Sequence, residues 1–409
     1  IYRGWTSMGI KVGMVGVGAF AQSFIPLFKA HPLVDQITLC DLDGEKLREN
    51  AAKHQINDTS PSLDHLISTD VDAVAVITQN WLHAPQAVQA LRVGKHVYSA
   101  VPTGVTQDEI TELVKTVEET GQIYTIGETS YYYPGVVYCR KQHEQGAFGD
   151  IVYSEGEYYH DWDHGLYDVM KWRGGDQWME FSGSPPMYYP THSTSQIISI
   201  TGAYMTHVSC QGFVDHHEDG IYQPGVNRWN NTFSNEFALF KMSDGSSCRI
   251  NEFRRIGHPG TVRMAMFGTE GSFEHNSAGA IWVNKQADQS LRLDDQLACR
   301  ERPANCETPS EEAMDKVTSS DGTHLSVAAV HDTSRLPKEF IGLPNGHAGS
   351  HQFLVDDFAR ACHNHLLPPN NVWIAARYAI PGIIAHDSAC QGGVLLEITD
   401  YGDPPGKGR

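Results

Sequence analysis

Ile10-Lys11-Val12-Gly13-Met14-Val15-Gly16-Val17-Gly18-Ala19-Phe20-Ala21 opens as a short apolar strand and closes as a Gly-x-Gly-x-x-Ala turn. Each small residue has a physical task. Gly16 permits the tight turn, Gly18 lets the backbone approach a pyrophosphate, and Ala21 keeps the next helix close to the sheet. That helix carries Phe20, Phe24, Leu27 and Phe28 on one face and ends near His31-Pro32, with Pro26 bending it. A second strand, Gln36 to Cys40, ends in Asp41, about 25 residues beyond Gly16, where such folds place an acid after ~20. A carboxylate there binds a free ribose 2′-hydroxyl and repels a 2′-phosphate. Leu42 and Asp43 follow it rather than an arginine, so the pattern points to NAD instead of NADP. Gly16, Gly18, Ala19, Phe20, Ala21 and Asp41 are the cofactor-binding candidates.

The alternation continues outward. Val71 to Thr78 reads as a buried strand, a helix runs from about Ala84 to Gly94, and His96 to Ala100 is another strand. Thr106-Gln107-Asp108-Glu109 is a capping box opening a helix with Ile110, Leu113, Val114 and Val117 inward and Gly121 beyond its end. Gln122 to Gly127 is a further strand. Strands alternating with helices make a doubly wound parallel α/β sheet, the Rossmann arrangement, over residues 8–130. Ligands then lie beyond the strands' carboxyl ends. That adds Asn80 and His83 (in Gln79 to His83), Pro102 (in Val101-Pro102) and Glu128 to the cofactor-side candidates.

After about Ser130 the grammar changes. Ile151 to Tyr159 alternates like a half-exposed strand, Thr232 to Met242 and Ser246 to Glu252 flank the turn Ser243-Asp244-Gly245, and Thr261 to Gly268 and Ala280 to Val283 add strands. Residues 284–340 are polar and aperiodic and read as a long surface excursion. Helical patterning returns from Ser350 to Ala361 and from Val372 to Cys390, before a short strand from Val394 to Ile398. Residues 131–398 are thus expected to form an α+β domain around an open-faced, mainly antiparallel sheet. It would bind substrate and mediate oligomerisation, with the helices from about 350 packing back on the first domain.

Thirty basic residues against 49 acidic ones leave a net charge of −19. So acidic a surface repels phosphate backbones and anionic lipid, which argues against nucleic-acid and membrane partners while leaving room for a local basic pocket. Eight scattered cysteines without a CxxC pair read as buried free thiols in a reducing compartment. No run approaches the ~20 apolar residues of a membrane span. Met8 directly before the first strand reads as a start, with residues 1–7 foreign to the protein. The expectation is cytoplasmic, unless a leader has been removed.

Four stretches bring titratable side chains to where a sheet domain would face a nicotinamide: Gly127 to Tyr131, Glu157 to Trp162, Met187 to Ser195 and Asn251 to Arg255. Histidine titrates near neutral pH and a phenol can be activated by a neighbouring charge, so both suit proton transfer on a sugar. Tyr189 and His192, three apart, would share a face of one helical turn. They are the first choice for proton transfer, with Tyr158, His160 and Glu128 as helpers; the blander alternative is a capped, packed helix start. Trp172, Arg173, Arg254, Arg255 and His258 could hold an anionic substituent such as a sulfonate or carboxylate, or serve as surface and salt-bridge residues. His160-Asp161-Trp162-Asp163-His164 and His216-His217 match no metal pattern, so no metal is expected. Ser182-Gly183-Ser184-Pro185 lacks the strand-to-helix elbow of a serine hydrolase.

Gly16 to Ala21, Asn80 to Pro85, His96 to Tyr98 and Gly346-His347-Ala348-Gly349-Ser350-His351 together resemble the Gfo/Idh/MocA oxidoreductases, over nearly the whole chain from Met8. The resemblance implies a Rossmann domain paired with an open-faced sheet domain, sugars or cyclitols as substrates, and a homo-oligomer, dimer or tetramer. Dehydrogenases of that family carry Glu-Lys-Pro where this chain has Ala100-Val101-Pro102, and valine carries no proton. The remaining motifs resemble the NAD-dependent glycosidase branch, glycoside hydrolase family 109, with its Tyr-Pro-Thr-His run at Tyr189 to His192, its Tyr-x-His at Tyr158 to His160, and its Glu at Glu128. Ser193-Thr194-Ser195 departs from the Gly-rich continuation of that branch, which implies a different sugar. The resemblance implies cleavage by transient oxidation at C3, loss of the C2 proton, elimination at C1, addition of water and re-reduction, a route that needs no paired carboxylates. The alternatives are a net sugar dehydrogenase in which His192 replaces the lysine, and a non-catalytic NAD-dependent sugar sensor.

Overall fold

The structure is a computed structural model that describes residues 9–286, 290–299 and 323–405. Six strands form the first sheet: β1 (Ile10–Val15), β2 (Val34–Cys40), β3 (Thr59–Ser60), β4 (Ala73–Val76), β5 (His96–Ser99) and β6 (Tyr124–Ile126). They are all parallel, in the order β3-β2-β1-β4-β5-β6. The order reverses between β1 and β4, so the turn after β1 and the segment after β4 flank one crevice, where ligands of doubly wound sheets bind. α2 (Gly44–His54), α4 (His83–Arg92) and α5 (Gln107–Thr120) are among its crossovers, and Thr106 and Glu109 form the reciprocal capping box that opens α5.

The helix after the glycine turn differs from expectation. Phe20–Ser23 is a 3-10 turn, and the α-helix proper, α1 (Ile25–Ala30), starts only at Ile25 with Pro26 in its first turn. Pro26 lacks an N–H and is tolerated at a helix start, so it sets a beginning instead of a bend.

The second sheet has nine strands: β7 (Ile151–Tyr159), β8 (Met205–Val214), β9 (Phe233–Met242), β10 (Ser247–Phe253), β11 (Thr261–Gly268), β12 (Gly271–Asn276), β13 (Gly279–Asn284), β14 (Leu291–Arg292) and β15 (Leu396–Glu397). Its order is β14-β13-β12-β11-β7-β10-β9-β8-β15, antiparallel except where β7 meets β10. β8, β12 and β14 escaped the periodicity reading. One face of this sheet packs on α6 (Pro134–Glu144) and α9 (Thr191–Thr201) and on the Val372–Cys390 helix; the other is open.

The Gly346–Asn364 helix, regular after the left-handed residues His347, Ala348 and Gly349, packs Phe353, Leu354, Val355 and Phe358 against Ile10, Val12, Phe24 and Phe28 of the first sheet's layer. Residues 323–340 correct the surface-excursion reading. Leu336 and Phe340 are buried in this same core, and Arg335 pairs with Asp356 and Asp357 of the helix. Buried Leu325, Ala328, Val330, Leu336 and Phe340 and the two ion pairs of Arg335 hold the segment down, at spacings too irregular for periodicity to register. Among the described residues, no helix is long and apolar enough to cross a membrane. Cys40, Cys139, Cys210, Cys248 and Cys362 are buried free thiols and Cys390 is exposed; Cys306 lies outside the described residues.

Candidate active site

The ends of β1, β2, β4 and β5 and the elements following β7 and preceding α9 enclose a cleft of about 1810 Å³. That exceeds the roughly 300–1,000 Å³ of a typical small-ligand pocket and leaves room for a dinucleotide and a sugar together. Its Rossmann wall contains Gly16, Gly18, Ala19, Phe20, Ala21, Asp41, Asn80 and His83. Gly16 has φ +90°, and a Cβ there would lie 2.2 Å from the Ile77 carbonyl oxygen. At Gly18 a Cβ would meet nothing nearer than the Trp172 ring at 3.5 Å, so it would project into the cleft where a pyrophosphate must approach. Asp41 accepts from Val17 N at 3.0 Å, which ties the carboxylate to the glycine turn. These residues fit an NAD.

His83 and Pro102 stand differently. The buried His83 ring has Nδ1 2.9 Å from the Pro102 carbonyl oxygen and Nε2 3.1 Å from that of Thr78, and burial pushes its pKa down. It joins the ends of β4 and β5. Pro102 is buried and is not among the described lining residues, whereas its neighbour Val101 lines the cleft. Lys46 on α2, whose Nζ stands 3.8 Å from the Gly18 Cβ position, is a cleft cation that the sequence reading missed. Its position on an ordinary amphipathic helix gave no signal.

The opposite wall is built on α9. Tyr189 and His192 are not on one helical turn, as expected from their spacing. Pro190 caps α9, the helix begins at Thr191, and Tyr189 ends the preceding 3-10 turn. Their rings nevertheless lie 5.3 Å apart, edge to face, and Tyr158 approaches His192 at 5.2 Å. Behind them, fully buried Glu128 is 2.7 Å from His192 Nδ1 and accepts from Ser130 N at 2.9 Å and Ser130 Oγ at 2.5 Å. Burial alone would raise the Glu128 pKa, but the charge and hydrogen bond of His192 and the hydroxyls of Ser130 and Thr191 outweigh it and hold it below the usual carboxylate value. An ionised carboxylate only accepts, so His192 Nδ1 donates and Nε2 is the basic nitrogen.

Tyr158 Oη lies 2.9 Å from His160 Nδ1. Burial and then the positive charges of Arg254 and Arg173 lower the His160 pKa to about 3, so the ring is neutral. Burial raises Tyr189 to about 12, with Arg173 only partly opposing it. The phenol therefore keeps its proton at neutral pH. Arg254 lies over the Tyr158 ring at 4.9 Å and pairs with buried Glu252 at 3.1 Å, and Glu252 also accepts from Ser193 Oγ at 2.5 Å.

Burial raises Glu252 to about 7 despite Arg254 and Ser193. A carboxyl group that binds its proton more tightly when folded adds stability below its unfolded pKa of ~4.5 and loses it as pH rises through the folded value. The difference in melting temperature between the wild type and Glu252→Gln is therefore expected to change between about pH 4.5 and 7, with the wild type declining more steeply. Parallel curves across that window would overturn the assignment.

Trp172 and Arg173, on α7 (Leu166–Gly174), both line the cleft. Arg255 and His258 are not among its described lining residues. Arg255 pairs with Asp215 and Asp219 and donates to Tyr167 Oη, while His258 bonds Pro259 O and Ser277 Oγ. Their carboxylate and hydroxyl partners come from distant segments that adjacency in sequence does not reveal.

Residues 10–128 match the model of the oxidoreductase family with NAD-binding Rossmann fold, Gfo/Idh/MocA. A glycosyl hydrolase family 109 protein of Saccharopolyspora erythraea is 30% identical over 210 residues, 48% of this chain and 44% of that protein. One from Streptomyces niveus is 24% identical over 417 residues, 96% of this chain and 77% of the relative. The first alignment thus spans less than half of the relative's length. Levoglucosan dehydrogenase in complex with NADH and levoglucosan superimposes with a TM-score of 0.72 at 17% identity, over 96% of this chain and 100% of that one, which shows the shared fold. Residues 10–128 thus carry the NAD-binding Rossmann fold described for the Gfo/Idh/MocA oxidoreductases, and the cofactor is NAD.

Proposed function

We propose that this protein is an NAD-dependent glycoside hydrolase acting on a hexoside, with residues 8–130 as cofactor domain and 131–398 as substrate domain. One observation carries the reading: the 2.7 Å Glu128–His192 pair sets an oriented base in the cleft beside a protonated Tyr189, while valine stands at the dehydrogenase lysine position. When bound, NAD supplies hydride acceptance and return at C3.

With C3 at the ketone level the C2 proton is acidic, and His192 Nε2 is the base that takes it. Glu128 stabilises the imidazolium that results, as a buried carboxylate does for a catalytic histidine. Tyr189 is the donor to the departing oxygen at C1, its high pKa keeping the proton on the phenol until an alkoxide develops nearby. Neutral His160 holds the Tyr158 hydroxyl, and Arg254 stacks on the same ring, so Tyr158 is fixed as a hydrogen-bonding wall of the sugar site.

Aryl glycosides incubated with and without NAD test this. A glycosidase releases aglycone without accumulating NADH and incorporates deuterium at C2 in heavy water. Accumulating NADH would instead establish a net dehydrogenase using His192, and neither signal would leave a sugar sensor. The reading extends to a homo-oligomer, dimer or tetramer, built on the open sheet face where Phe213, Phe237 and Leu239 are 56%, 45% and 60% exposed. A monomer by light scattering would refute that part. The buried free thiols suit a cytoplasmic setting.

A further inference from the structure

The cations of the cleft are not equivalent. Lys46 and Lys53 belong to α2 beside the glycine turn, and Arg254 is engaged by Glu252 and donates to the carbonyls of Tyr158, Phe253 and Pro186. Arg173 is the cleft arginine with no carboxylate partner among the described residues. It is solvent-exposed, and its charge acts on His83 after β4, His160 after β7 and Tyr189 before α9. Those groups come from three separate elements, and all three line the same cleft as Arg173.

The carboxylates lining the cleft are Asp41, Asp43 and Asp64 on the Rossmann side and Asp168 on α7 itself. Five positions before Arg173, Asp168 lies about 140° around the helix, outside the i+3 and i+4 spacings that pair side chains. The segment that carries Arg173 also reaches the Rossmann side of the cleft. Trp172 beside it reaches over Gly18, and Phe181, in α8 (Trp178–Ser182), stacks on Trp81 of the Rossmann side at 4.2 Å and 11°. An exposed, unpaired arginine held inside the cleft of a chain with net charge −19 concentrates anions where the rest of the surface repels them.

We propose that Arg173 binds an anionic substituent of the sugar, so that the substrate class is hexosides bearing a carboxylate, sulfonate or phosphate. The planar guanidinium offers paired donors that match such groups. This rests on the reading of the cleft as a glycoside site and adds the charge of the glycoside.

The test is binding to the NAD-loaded protein, read by quenching of tryptophan fluorescence. Methyl hexosides are paired with their uronate, 6-sulfonate and 6-phosphate counterparts, and wild type is compared with Arg173→Lys and Arg173→Met. The expected result is about 10- to 100-fold tighter binding of an anionic member than of its neutral partner. Arg173→Met loses that preference, Arg173→Lys keeps part of it, and NAD affinity is unchanged. Equal binding of neutral and anionic sugars, no binding of any anionic sugar, or a loss of NAD affinity in Arg173→Met overturns it; the last assigns the guanidinium to the cofactor's phosphates. Because the readout needs no turnover, anion-selective binding without aglycone release would refute the glycosidase reading alone. Equal cleavage of neutral and anionic glycosides would refute this inference alone.

Discussion

His192→Asn is expected to lower turnover roughly 10²- to 10⁴-fold while the protein still binds NAD, the range lost when a positioned general base is removed. His192 sits in the first turn of α9, and asparagine preserves polarity there without supplying a basic nitrogen. Glu128→Gln tests the partner. A neutral amide can present either its oxygen or its N–H₂ to Nδ1, so the ring is no longer held in the tautomer with a basic Nε2. In the Ser-His-Asp triad such an exchange costs ~10⁴ in turnover.

The two outcomes also differ with pH. The depressed Glu128 pKa means its contribution to stability is present above the unfolded value of ~4.5 and lost as pH falls through the folded one. The melting-temperature gap between wild type and Glu128→Gln should therefore narrow on acidification. Turnover close to wild type in both variants would sink the base assignment.

The glycine turn yields the second large effect, through a contrast between neighbours. Gly16→Ala is expected to destabilise the protein by on the order of 3 kcal/mol, because φ +90° is unfavourable for alanine and its Cβ would collide with the Ile77 carbonyl oxygen at 2.2 Å. That carbonyl belongs to the end of β4's segment, so relief requires moving a central parallel strand. Gly18→Ala meets the Trp172 ring at 3.5 Å and Lys46 Nζ at 3.8 Å, both ordinary contacts, so folding should be spared. NAD binding should not be, because the added methyl occupies the path of the pyrophosphate. Urea unfolding and calorimetric titration with NAD separate the two. Loss of stability in Gly18→Ala, or undiminished NAD affinity, would show that the cofactor does not approach there.

The Rossmann half was legible because its signals are local. A glycine turn, a capping box and buried β-branched runs act within a few residues, and the backbone obeys them wherever the chain goes next. The same locality made the Val372–Cys390 helix readable to the residue. Pro26 misled because one residue both breaks and starts helices; β8 and β12 were missed because their alternation is blurred by polar side chains on a half-buried sheet, and β14 because two exposed residues carry no alternation.

The candidate site shows where that locality ends. Residue types and rough neighbourhoods of Glu128, Tyr158, His160, Tyr189 and His192 could be read along the chain, since each follows a strand or precedes a helix. What each one does is a matter of partners up to 64 residues away in sequence: Glu128 facing His192, Glu252 pairing with Arg254, Asp215 and Asp219 consuming Arg255, and no carboxylate among the described residues pairing with Arg173. Protonation follows from burial and from neighbouring charge, and both are properties of packed distance. A linear chain can specify which groups are available for proton transfer and where its backbone must turn. Which phenol stays protonated, which imidazole is basic and which arginine keeps its charge exposed emerge only when separate elements are brought within a few ångströms of one another.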